Sequence, residues 1–223
     1  MIVWLNGAFG AGKTTTALRL PALVPGSRLF DPETVGYMLQ PNLADHAVSD
    51  FQHWPPWRPL VASTAAELAR YTGEHLIAPQ TVLVRDYLEE IFTGLRAAGL
   101  AVFHVLLDAD EDVLRRRILG SDEAQEWRLA HLTGYRAARP WLIEAADLVV
   151  DIGVLAPDEV ANRVACAVPG LAPGEHYPGR AWAPADAGAC PASGSSVPAW
   201  ARGGRNSVRM VANARSFATT LSA

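Results

Sequence analysis

The chain opens on "MIVWLNG", an apolar run of β-forming residues closed by the turn pair Asn6-Gly7. An uninterrupted apolar run of this length predicts a strand covered on both faces. A helical pattern starts at Lys13, and Pro21 marks its expected end. "SRLFD" (27–31) predicts a second strand, after which Pro32-Glu33 suits the first turn of a helix. Residues 41–59 show no period and hold four prolines among aromatics. A helix is expected over 60–73, closed by Gly73, then a third strand over 75–79. Next come a helix over about 86–98, a strand over 100–108 and a helix over 110–119. That last helix has acids in its first turn and arginines in its last, matching the helix dipole. A further helix ends near Arg139-Pro140, "DLVVDIG" (147–153) forms a fifth strand, and 157–168 a closing helix with proline at its start.

Strands alternating with helices at this spacing predict an α/β fold: a five-stranded parallel sheet with helices on both faces. Periodicity dissolves after residue 168 into Pro, Gly, Ala and Ser, the composition of a disordered tail. The expected organisation is therefore a domain over 1–168 and a tail over 169–223. Within the tail, 206–221 regains a helical pattern, with Met210, Ala214, Phe217, Ala218 and Leu221 on one face and arginines elsewhere. That is a weak basic amphipathic helix and at most a marginal membrane anchor.

Composition narrows the function classes. Net charge is −4 and half the residues are hydrophobic, which gives no electrostatic reason to expect nucleic-acid binding. The tail is locally basic, with five arginines over 169–223 against Glu175 and Asp186. No apolar run reaches the ~18 residues that span a bilayer, and the N-terminus lacks the basic start of a signal peptide. Cys166 and Cys190 show no metal or redox spacing. These features together predict a cytoplasmic protein.

One residue stands out against this background. Lys13 is the sole lysine, in a chain that uses arginine for every other basic position. It lies in "GAFGAGKT", Gly7-x4-Gly12-Lys13-Thr14, after a predicted strand and before a predicted helix. That is a P-loop in its required context. The backbone N–H groups of Gly7, Ala8, Phe9, Gly10, Ala11, Gly12, Lys13, Thr14 and Thr15 are the candidate phosphate cradle. Lys13 supplies a compact ammonium to the terminal phosphates, where a planar guanidinium fits poorly. The Thr14 hydroxyl is the candidate Mg2+ ligand. No Asn-Lys-x-Asp occurs, which makes ATP rather than GTP the expected nucleotide.

The P-loop followed by "LLDADEDVLRRRI" (106–118) resembles the P-loop small-molecule kinases, including shikimate, adenylate and chloramphenicol kinases. The resemblance implies a nucleoside- or shikimate-kinase-like sheet and an arginine facing the ATP phosphates. Arg117 matches that position and Arg116 is its neighbour; solvated charge at a helix end is the other reading. A narrower resemblance rests on "IVWLNGAFGAGKT", "DPETVG" (31–36), "DFQHWPPWR" (50–58) and Ala78-Pro79-Gln80-Thr81. Together these are similar to the tunicamycin resistance protein family over roughly residues 1–165. Asn6 and the Ala8-Phe9 pair are what make the match narrow, because phosphate binding requires neither. In that family a basic amphipathic C-terminal segment is associated with membrane attachment.

Asp31 matches the position at which related kinases hold the carboxylate that orients or deprotonates the acceptor hydroxyl. The simpler role for an Asp-Pro pair is a helix cap, and one carboxylate could serve both. Glu33 reads as a first-turn dipole partner. In 50–58, Trp54 and Trp57 either cover the sheet edge or wall an acceptor pocket with Asp50, Gln52 and Arg58 as polar contacts. Gln80 and Thr81 follow the third strand, on the sheet edge where such folds bind ligands. No acid ends that strand, which leaves Asp31 or Asp108 to direct magnesium through water. The stretch 120–128, with Arg128, is a candidate lid.

The catalytic set expected is therefore Lys13, Asp31 and Arg117, with ATP and Mg2+ as cofactors. The reaction is transfer of the γ-phosphoryl group to a hydroxyl of a small molecule, with tunicamycin the acceptor that the resemblance implies. Two alternatives stay open: ATP-dependent sequestration of the drug without transfer, and a housekeeping nucleoside or sugar kinase.

Overall fold

β1 (Ile2–Gly7) is buried along its whole length, as its apolar run requires. The computed structural model describes residues 1–122 and 124–169. β1 pairs in parallel with β3 (His75–Pro79) on one side and β4 (Val102–Asp108) on the other, so that Val3 lies opposite both Ile77 and Phe103. β2 (Ser27–Leu29) adds to the free edge of β3 and β5 (Leu148–Asp151) to that of β4. The result is one five-stranded parallel sheet in the order β2-β3-β1-β4-β5. Neighbours with non-consecutive numbers require crossover connections, and helices supply them.

Among the described residues six α-helices lie in those connections, α1 (Lys13–Leu23), α2 (Glu33–Leu39), α3 (Trp57–Thr72), α4 (Arg85–Ala97), α5 (Glu111–Leu119) and α6 (Gln125–Ala145), and α7 (Pro157–Ala167) follows β5. α1 packs beside α7, and α3 beside α4. The core runs through Trp4, Leu5, Leu20, Ile77, Ile91, Leu95, Leu106 and Leu107, each with no exposed surface. Full burial of each such side chain stabilises the fold by roughly 1.5–3 kcal/mol.

Three expected boundaries move, each for a physical reason. Pro21 lies inside α1, which continues to Leu23, where the Val24 N–H donates to Leu20 O at 2.7 Å. A proline in the last turn forfeits one bond but keeps a helical φ. α6 passes through Pro140 to Ala145, with Ala138 and Leu142 buried on either side. Burying Leu142 completely is worth about what a mid-helix proline costs, roughly 3 kcal/mol, so packing carries the helix onward. α3 starts at Trp57, before Pro59, because first-turn N–H groups have no intrahelical partner to lose. Residues 41–59 are not wholly irregular: Gln40–Asn42 and Phe51–His53 form 3₁₀ turns. The expected tail beyond residue 169, with its helix at 206–221, lies outside the described residues. Among the described residues no helix is long and apolar enough to cross a membrane.

Candidate nucleotide and acceptor site

The carboxyl ends of β1, β3 and β4 converge where residues 7–14 turn from strand to helix. Gly7 lies at φ 145°, and a Cβ there would sit 2.5 Å from Leu107 O of β4. Gly12, at φ 84°, is the left-handed N-cap of α1. Only glycine meets both demands without strain. Asn6, fully buried, locks the loop entrance: its Oδ1 accepts from Gly7 N at 2.8 Å and Val82 N at 3.0 Å, and its Nδ2 donates to Val82 O. The invariable demand of phosphate binding does not explain Asn6, but this stitch to the segment after β3 does.

Lys13 arches back over the loop, its Nζ donating to Gly7 O at 3.0 Å and Ala8 O at 2.9 Å. Burial pulls its ammonium down to about 7; the Glu33 carboxylate opposes this and the Arg128 charge adds to it. Glu33 and Arg128 thus act on the lysine with opposite sign. Thr14 and Thr15 are exposed on the first turn of α1 while Thr16 is buried, so the Thr14 hydroxyl is open to a ligand. Among the described residues no group of three or more His, Cys, Asp and Glu side chains could hold a metal unaided. An ion here would need phosphate oxygens beside the Thr14 hydroxyl, which is how a metal brought by a nucleotide binds. Left-handed glycines, a partly buried ammonium and an open hydroxyl at a helix N-terminus fit the phosphates of a nucleotide.

Asp31 lies just before Pro32, the N-cap of α2, and ties the turn into the helix: its Oδ1 accepts from Glu33 N at 2.9 Å and its carbonyl from Thr34 Oγ1 at 2.6 Å. Burial raises its carboxyl above the usual range, against that backbone bond. Glu33 is more than a dipole partner. Burial and then the Asp31 charge push its carboxyl up, and Tyr37 OH donates to its Oε2 at 3.1 Å. The Tyr37 phenol is itself pushed up to about 12, by burial and by Glu33. The charges of Asp31 and Asp50 both act on Glu33, and Glu33 in turn acts on Lys13. The sequence signal was the i, i+2 spacing of two acids after β2, and dipole arguments alone hid it.

Residues 50–58 are largely committed to the fold. Trp57 has no exposed surface and Trp54 has 6%. Their indole N–H groups donate to Pro32 O and His46 O, so they pack the segment rather than wall an open pocket. Arg58, expected to hold a substrate phosphate, is buried and bonds the Glu90 carboxylate and Gln52 O, with its guanidinium 4.2 Å from the Tyr87 ring centre. These bonds commit its Nε and Nη1 to the fold. Asp50 caps its own turn by accepting from Gln52 N. Gln52 Nε2 and Gln80 Nε2 both donate to Thr81 O, and Thr81 Oγ1 donates to Gly7 O at 2.9 Å. These three polar side chains do meet at the loop, and Gln80 Oε1 is buried there without a hydrogen-bond partner.

Asp108, offered as a magnesium-directing acid, is engaged elsewhere. Its Oδ1 accepts from Tyr135 OH at 2.6 Å and Arg139 Nε at 2.8 Å, and its Oδ2 from Arg139 Nη2 at 2.7 Å. Burial alone would raise its carboxyl, but the bonds from Arg139 and Tyr135 outweigh that and hold it below the usual range. This bidentate pair pins α6 to the end of β4. Arg117 emerges beside Gly10, and its Nη2 donates to Ile152 O after β5 at 2.7 Å. Arg128 sits in the first turns of α6, where Nη1 donates to Ser121 Oγ at 3.3 Å.

Known proteins place this arrangement. The AAA domain family profile matches residues 2–139. Solved structures that match include the tunicamycin resistance protein of Deinococcus radiodurans, at 29% identity and a TM-score of 0.57, covering 74% of this chain and 93% of that one. A sugar kinase from Janibacter sp. HTCC2649 matches at 20% identity and TM-score 0.56, over 73% of this chain and 90% of that one. A gluconokinase from Sinorhizobium meliloti 1021 matches at 17% identity and TM-score 0.53, over 73% and 87%. The two kinases testify to the fold alone. No curated protein sequence matches the chain. A P-loop on the central strand of a five-stranded parallel sheet, with this coverage, settles the lineage: the chain belongs to the AAA domain family, in its P-loop kinase-like form.

Proposed function

We propose that this protein binds MgATP at residues 7–15 and transfers the γ-phosphoryl group to a hydroxyl of a small acceptor. The observation that carries the reading is Lys13, whose partly buried ammonium is held at the mouth of the phosphate loop under the field of the Glu33 carboxylate. The nucleotide supplies the transferable phosphoryl group; alignment and charge are the protein's share. Lys13 and the loop amides would hold the terminal phosphates, and the Thr14 hydroxyl would be the side-chain ligand to a metal brought by the nucleotide. Arg117, beside Gly10, adds positive charge on the α5 side of the loop. Asp31 orients the acceptor hydroxyl and takes its proton, for which a carboxyl raised by burial is suited.

Tunicamycin is the acceptor to test first, given the 29% identity to a tunicamycin resistance protein. Purified protein with MgATP and tunicamycin is expected to yield a drug heavier by one phosphate in mass spectrometry. Asp31→Asn should lower that turnover by about 10²–10⁴-fold, the usual worth of a general base, while ATP affinity persists. Absence of a mass shift at saturating ATP, for tunicamycin and for a panel of sugars and nucleosides, would sink the transfer reading.

One observation favours a second reading, ATP-dependent sequestration of the drug. β3 is followed by Gln80 rather than an acid, and Asp108 is consumed by Arg139 and Tyr135, so few carboxylates are left to organise a transferring metal. Tight drug binding with a non-hydrolysable ATP analogue, without turnover of ATP, would decide for it.

A further inference from the structure

The Ala8-Phe9 pair made the loop motif narrow, yet phosphate binding does not use a side chain there. Phe9 instead contacts α6. Its ring meets Trp127 edge-on at 4.7 Å and His131 at 5.4 Å between centroids, and Trp127 and His131 touch each other at 4.0 Å. On its other side Phe9 receives Lys13, with Nζ 5.4 Å from the ring centre. A single side chain of the phosphate loop therefore bridges the loop's ammonium and the start of α6.

The spacing on α6 gives this contact mechanical meaning. Trp127, His131, Tyr135 and Arg139 recur at i, i+4, i+8 and i+12, so they form one stripe along the helix. The far end of that stripe is clamped to Asp108 by Tyr135 and Arg139. The near end rests on Phe9. Arg128 follows Trp127 directly, and its charge is felt at Lys13. Two attachment points on one stripe determine which way the first turns of α6 face.

We propose that Phe9 is a positioning residue, which clasps Trp127 and His131 so that Arg128 stands beside Lys13, where a terminal phosphate would lie. The inference rests on the nucleotide-binding reading of the loop. Phe9 touches no reacting atom in this role; it acts through Arg128. Arg128 is then a γ-phosphate contact, absent when the nucleotide ends at its β-phosphate. Ser121 Oγ accepts from Arg128 Nη1 at 3.3 Å, one of the contacts that this guanidinium makes without a nucleotide.

The test needs no acceptor. Affinities for ADP and for a non-hydrolysable ATP analogue, both with Mg2+, are measured by calorimetry for the wild type, Arg128→Ala, Phe9→Leu and the double variant. Phe9→Leu keeps an apolar group and loses the ring edges, and thermal unfolding shows whether each variant folds. Arg128→Ala is expected to reduce the preference for the triphosphate over ADP by about tenfold, the scale of one charge-assisted contact. Phe9→Leu is expected to reproduce most of that loss. The double variant should lose no more than Arg128→Ala alone, because Phe9 works only through Arg128. A merely structural Phe9 would weaken both nucleotides equally, and losses that multiply in the double variant would equally overturn the inference. If Phe9→Leu does not fold, Trp127→Leu breaks the same clasp from the α6 side and must give the same non-additive pattern. Wild type that binds neither nucleotide refutes the loop reading itself and the inference with it; wild type that binds both with equal affinity refutes the inference alone.

Discussion

The depressed ammonium of Lys13 makes nucleotide binding a proton-coupled event. In the free protein burial holds this group at about 7, against 10.5 for an ordinary lysine. Phosphate oxygens placed on the ammonium favour its charged form and return it toward the ordinary value. The sign follows: above 7 the free protein is mostly neutral at Lys13 and the complex is charged, so binding takes up a proton. At about pH 8 the uptake is roughly 0.9 proton per nucleotide, and at about pH 6 it falls to roughly 0.1. Affinity should therefore drop by up to about tenfold per pH unit above 7 and level off below it. Phosphate monoesters titrate near about pH 6, so the clean window lies about one unit and more above that. Calorimetry in two buffers of different ionisation enthalpy reads the proton count directly. Measurable binding with no uptake at about pH 8 would refute the burial argument, as would affinity that stays flat between about pH 7.5 and 9.5.

Three further outcomes follow from the packing. His104 is buried on β4, with Nδ1 bonded to Ala145 O; burial lowers its imidazolium below the ordinary 6.5 despite the nearby Asp147. The unfolded chain then takes a proton that the folded state refuses, so stability should fall as pH drops below 6.5, and urea titrations of His104→Gln should show a shallower fall. Gly7→Ala would drive a methyl to 2.5 Å from the Leu107 carbonyl, and should cost about 1–3 kcal/mol in chemical denaturation and abolish nucleotide binding. Arg58→Ala should cost about 1–3 kcal/mol by orphaning Gln52 O and leaving Glu90 unpaired, with nucleotide affinity unchanged. A large loss of acceptor affinity in a stable Arg58→Ala protein would support its role as a substrate contact.

The phosphate loop was legible because its chemistry is local. Backbone amides, glycines at positive φ and one ammonium all lie within eight consecutive residues, between a strand and a helix that periodicity reveals. The sheet was legible for a related reason: strands buried on both faces read as apolar runs, and each crossover helix carries its own pattern. The acceptor side was less so. "DFQHWPPWR" presents aromatic and basic residues that suit a ligand pocket, yet Trp57 and Arg58 face inward once α3 starts at Trp57. Composition does not tell which side of a segment meets solvent.

What the amino-acid order determined by itself is the set of elements, the parallel sheet and the loop that receives phosphate, since each depends on neighbours a few residues away. The tertiary structure alone decided which charges remain for chemistry. Asp108 is claimed by Tyr135 and Arg139, some 30 residues on, and Arg58 by Glu90, 32 residues on. Glu33 and Arg128 gain their importance from acting on the charge of Lys13. Ionisable side chains are expensive to bury unpaired, so each takes the partner that folding brings within reach, and that partner is set by the crossing of helices over the sheet edge.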